Sequence, residues 1–96
     1  MTLKPFIQLV TGESPERAFD IGTHEAKLAF GNNGFTGSLA DKGTFIVIRC
    51  PKHHDPEAYA LGLLARHDPR IADMWSPAGM IQKGPGAWLA FGFSAV

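Results

Sequence analysis

Thr44–Cys50, Thr-Phe-Ile-Val-Ile-Arg-Cys, restricts the fold of this chain more than any other stretch. Phe, Ile, Val and Ile in unbroken sequence have the β-branched and aromatic character of a strand, and the run has strand length. Asp41-Lys42-Gly43 precedes it as a turn, and Pro51 follows it as a stop. Side chains alternate between the faces of a strand, so Phe45 and Val47 point one way and Ile46 and Ile48 the other. Both faces are apolar, which predicts a strand lying inside a sheet covered on both sides.

The other elements are read around that strand. Phe6–Val10 is a first strand, ended by Thr11-Gly12. Ser14-Pro15-Glu16 then starts a helix: a hydroxyl cap, proline at the first helical position and an acid against the positive end of the helix dipole. Pro15–Ile21 makes about two turns, which Gly22 can close in a left-handed conformation. Thr23–Phe30 fits either a strand or a helix, and Thr23 and Glu25 tilt it to a short helix. Gly31-Asn32-Asn33-Gly34 is a turn by composition. Phe35–Ala40 then pairs with Thr44–Cys50 as a hairpin.

Asp55 caps a second helix, with Pro56 as its first residue and good helix formers onward to His67. His67-Asp68-Pro69-Arg70 repeats the same grammar and predicts a shorter helix to Trp75, with Ile71, Met74 and Trp75 on its inner face. Met80–Lys83 and Ala87–Ala95 flank Gly84-Pro85-Gly86 as a closing hairpin. Leu89, Phe91 and Phe93 line one face of that last strand, with Trp88, Ala90, Gly92 and Ser94 on the other. The result is one α+β domain over residues 1–96: a mainly antiparallel sheet of about five strands with two or three helices.

Composition narrows the partners. Nine basic and nine acidic residues cancel. That argues against a nucleic-acid binder, which needs a surplus of Lys and Arg on one face. Between Arg49 and Arg70 the net charge is only +1, although three of the four histidines lie there and would raise it near pH 5. Cys50 is the single cysteine, and a secreted domain this small usually carries several, so a reducing, cytoplasmic setting is expected. The N-terminus lacks a signal-peptide pattern, and the 13-residue uncharged run Gly84–Val96 is too short for a membrane helix.

Chemistry-bearing groups gather at Cys50, His53, His54 and His67, beside Asp55 and Asp68. The two-residue gap from Cys50 to His53 occurs in zinc sites, but a structural site needs four ligands, and His67 has no partner at fixed spacing. A thiol nucleophile with a histidine base is the other enzymatic reading. Both aspartates are already accounted for as caps ahead of proline. Gly31–Gly37 is glycine-rich but lacks the Gly-Lys-Ser/Thr ending of a phosphate loop. No catalytic residue, cofactor or metal ligand is assigned.

The remaining feature is apolar excess. If Leu89, Phe91 and Phe93 face the core, Trp88 points to a second sheet face that short helices cover poorly. An uncovered aromatic face is an association surface. The expected function is therefore a small non-enzymatic protein-binding module (a regulator, an inhibitor or an assembly subunit), binding another protein or a second copy of itself, with no nucleic acid and no membrane. Its expected contacts are Trp88 as anchor, then Phe35, Asn33, Arg49 and His54. The alternative is an enzyme or metal-binding protein using Cys50, His53, His54 and His67.

Overall fold

Strand β1, Leu3–Thr11, leads through Gly12 into helix α1, Pro15–Phe30. These positions come from a computed structural model, which describes residues 2–31 and 34–96. Ser14 caps α1, its hydroxyl accepting from the Arg17 N–H, with Pro15 at the first turn. The two pieces expected from the sequence are one helix. Gly22 does not end it but lies inside it, against β1. A Cβ at that position would stand 2.4 Å from Val10 Cγ1, so glycine is what lets helix and strand approach so closely.

After a one-turn 3₁₀ helix, Leu39–Asp41, come β2 (Phe45–Val47), α2 (Pro56–Ala65), β3 (Ala78–Gly84) and β4 (Ala87–Ala95). Asp55 caps α2 by accepting from the Ala58 N–H. The helix stops two residues before the expected His67. His67 takes a left-handed φ of 49°, its N–H donates to the Leu64 carbonyl, and the Asp68 N–H reaches back to the Leu63 carbonyl. This pair of bonds is the Schellman closure of a helix. Pro85 followed by Gly86 at a φ of 68° turns β3 into β4.

Among the described residues the sheet has four strands in the order β1-β4-β3-β2, not five. β4 runs antiparallel to both β1 and β3, while β2 is parallel to β3. The architecture is α+β with a mixed sheet and two α-helices. Each face of the sheet has its own core. On one side α1 lays Ala18, Phe19 and Ala26 over Val10, Met80, Trp88 and Ala90. On the other, α2 lays Ala60, Leu63 and Leu64 over Ile48, Ile81, Phe91 and Phe93.

Three expectations are corrected here. Thr44–Cys50 is not central; only Phe45–Val47 is strand, at an edge, and its partner is β3. Its two-sided apolarity still has a cause, since Phe45 packs on the α1 core and Ile46 and Ile48 on the α2 core. Phe35–Ala40 is not a strand, because Gly34, Phe35 and Gly37 all adopt positive φ, which breaks extended pairing. Pro69–Trp75 is not a helix. There the Asp68 side chain accepts the Arg70 N–H and the Asp73 side chain accepts the N–H groups of Trp75 and Ser76. Such local turns compete directly with helical bonds. No helix of the described residues is long and apolar enough to cross a membrane.

Candidate functional site

Two loops that the sequence reads as strand and helix meet at the end of β4, and neighbouring residues hold them there. Asp41 closes the 3₁₀ turn that Ser38 caps. Its carboxylate accepts from the Thr36 N–H at 2.8 Å, the Gly37 N–H at 3.3 Å, the Thr36 hydroxyl at 2.9 Å and the Ser94 hydroxyl on β4. With its proton committed to Asp41, the Thr36 hydroxyl accepts from Ser38 at 2.6 Å. The loop 34–38 is thus tied to the sheet through this carboxylate and through the Gly37 N–H, which also donates to the Ala95 carbonyl of β4 at 3.1 Å.

Lys42 does the same for the other loop. It is 5% exposed, and its ammonium donates to the carbonyls of Asp73, Met74 and Ser76 at 3.2, 3.2 and 2.8 Å. Burial lowers its pKa below the ordinary lysine value, with the carboxylates of Asp73 and Asp41 acting in the opposite direction. All three ammonium protons have protein acceptors, so Lys42 works here as a clamp, with none left for a substrate. Asp73 tightens the same loop, its carboxylate accepting from the N–H of Trp75 at 2.8 Å and of Ser76 at 3.0 Å.

Each clamped loop carries an exposed aromatic ring. Trp75 is 85% exposed and Phe35 57%. Phe35 has a φ of 56°, a conformation that costs a bulky residue about 1–2 kcal/mol and that the Asp41 bonds to the next two amides hold in place. The two rings border one cavity of about 200 Å³, floored by Asp41, Ser94 and Ala95. Two exposed aromatic rings thus stand on hydrogen-bonded loops beside a recess whose floor presents Asp41 and Ser94, and tryptophan is among the residues enriched at binding hot spots.

The residues singled out from the sequence fall in different places. Phe35 lies at this cleft. Trp88 does not present an exposed anchor: it is 7% exposed, packed under α1, and the sheet face it occupies is covered. Arg49 borders a separate cavity of about 430 Å³ with Val47, Cys50, Gln82 and Trp88. His54 is exposed, with its ring edge-on to Tyr59 at 5.7 Å. Asn33 lies outside the described residues. The Cys50 thiol donates to the carbonyls of Pro51 and His54, and the His67 ring stacks on Phe93 at 4.7 Å. Among the described residues no group of three His, Cys, Asp or Glu side chains is placed to hold a metal ion.

Sequence reading missed Trp75, Asp41 and Lys42. Helical spacing puts Trp75 on the inner face of a helix that does not form. The usable signal was Asp73-Met74-Trp75-Ser76, an aspartate and a serine bracketing the tryptophan as an Asx turn does. Comparison with models of known protein families, with curated proteins and with solved structures gives no match for this chain.

Proposed function

We propose that this chain is a non-enzymatic protein-binding module whose contact surface is the Phe35–Trp75 cleft. The observation that carries the reading is the double clamp: Asp41 and Lys42, adjacent in sequence, immobilise two loops whose outward product is a pair of exposed aromatic rings. A tryptophan on a flexible loop would lose both backbone and side-chain freedom on binding, whereas here the backbone bonds have already ordered the loop that carries it.

The occupant is an extended segment of a partner protein that inserts one apolar side chain between the rings. At about 200 Å³ the recess is smaller than the 300–1,000 Å³ typical of small-molecule pockets, which favours a side chain over a free metabolite. Asp73, exposed beside Trp75, adds a preference for a basic neighbour on that segment.

Peptide display against the purified chain tests this. Peptides enriched on the native protein should share an apolar residue next to a basic one, and should lose binding to Trp75→Ala and Phe35→Ala but keep it with Trp88→Phe. Enrichment that is indifferent to Trp75→Ala, or no enrichment at all, removes the proposal.

A further inference from the structure

We infer that the outer edge of β1 pairs with β1 of a second copy, joining two four-stranded sheets across a two-fold axis at Leu9. β1 is an edge strand nine residues long, and among the described residues no strand lies on its outer side. The direction of its backbone groups follows from the ends of the ladder. Thr2 and Val96 exchange both backbone hydrogen bonds, and the Gly12 N–H donates to the Gly86 carbonyl. Antiparallel pairs alternate, so even-numbered residues of β1 bond to β4 and odd-numbered ones turn N–H and C=O outward. Ile7, Leu9 and Thr11 therefore offer a continuous outward ladder.

Natural edges are usually blunted by charge, proline, a bulge or a covering segment. From Phe6 to Thr11 this strand carries no charge, and its one proline, Pro5, stands near the start. Pro5 narrows the register, and of the centres that keep it off the ladder Leu9 leaves the most facing pairs. Centring the axis on Ile7 would set Pro5, which has no N–H, opposite Leu9. Centring it on Leu9 moves Pro5 off the ladder and leaves Ile7 facing Thr11, each facing pair able to exchange two bonds. In this register Lys4 of one copy falls opposite Ser14 of the other, and Pro5 opposite Glu13, so no like charges face each other across the pairing.

Apolar exposure points the same way. Leu9 is 54% and Leu3 41% exposed, both on the α2 side of the sheet, where Ile7 between them packs on the α2 core. At the Leu3 end of β1, away from Leu9, a largely apolar trough of about 400 Å³ lies between Leu3, Pro5, Leu61 and Phe93. The opposite edge, β2, has three residues and offers a far shorter ladder.

Light scattering of the full chain across a concentration series should show a monomer–dimer equilibrium. Leu9→Lys, which puts like charges face to face on the axis, should weaken it about tenfold or more while circular dichroism stays native. Leu9→Cys in a Cys50→Ser background gives a second readout. Facing residues of a bonded pair sit about 5.5 Å apart, within disulfide reach, so mild oxidation should yield a covalent dimer that Leu61→Cys in the same background does not. A single-chain mass at every concentration overturns the inference. So does a dimer insensitive to Leu9→Lys, and one abolished by Trp75→Ala instead would place self-contact at the aromatic cleft.

Discussion

The buried ammonium of Lys42 holds Trp75 through the backbone, donating to carbonyls on both sides of it, at Asp73, Met74 and Ser76. A cation with almost no solvent access thereby fixes the most exposed large apolar side chain among the described residues. Lys42→Met keeps much of the stem and removes the donors. It should cost about 2 kcal/mol in urea unfolding, since hydrogen bonds to a charged group are worth about 1.5–3 kcal/mol. Amide exchange at Trp75 and Ser76 should quicken more than in β4. Unchanged exchange in that loop would show that Lys42 is not its clamp.

Acid should weaken this part of the molecule in a defined window. The Arg70 guanidinium donates to both oxygens of Asp68, at 2.8 and 3.0 Å, and together with the Arg70 N–H it holds that carboxyl down at about 2. Asp73 is lowered too, chiefly by the Trp75 N–H. A depressed carboxyl contributes stability that is whole above its ordinary value of 3.8 and is lost as pH falls through the folded value. Between pH 3.8 and about 2, stability should therefore fall with acid, and Asp68→Asn should flatten that slope. Equal slopes for both proteins would refute the assignment.

Trp88 tests burial from the other direction. Its indole Nε1 is buried with no hydrogen-bond partner, the one such side-chain atom found among the described residues. An orphaned donor costs about 1–3 kcal/mol. Trp88→Phe removes it along with some packing, so stability should change by no more than about 1 kcal/mol, whereas Trp88→Ala should lose about 3–5 kcal/mol to a cavity. Equal losses in the two variants would mean that the indole N–H is bonded in solution.

Gly22→Ala should destabilise, although alanine is the better helix former by about 1 kcal/mol. The added methyl meets Val10 Cγ1 at 2.4 Å and forces α1 off β1, an overpacking cost of about 1–3 kcal/mol. A double-mutant cycle with Val10→Ala should recover part of it. Additivity between the two positions would put the cost elsewhere.

Several features were legible in the chain because they depend on near neighbours alone. The Ser14-Pro15 and Asp55-Pro56 caps, the Gly84-Pro85-Gly86 turn and the period-two alternation along β4 each follow from a few adjacent residues. The two-faced character of Phe45–Ile48 was readable as well, although its place at an edge was not, because strand order depends on which segments pair across the whole chain. Trp75 shows the same division. Residue type and helical spacing place it inward, but the Asx turn of Asp73 and a lysine thirty-three positions upstream turn it out to solvent. Local sequence thus determined where elements begin and end and which residues share a face. Tertiary structure alone decided what covers each face, because burial is set by contacts between segments far apart in the chain, and so it decided which aromatic ring, Trp75 rather than Trp88, is left in solvent.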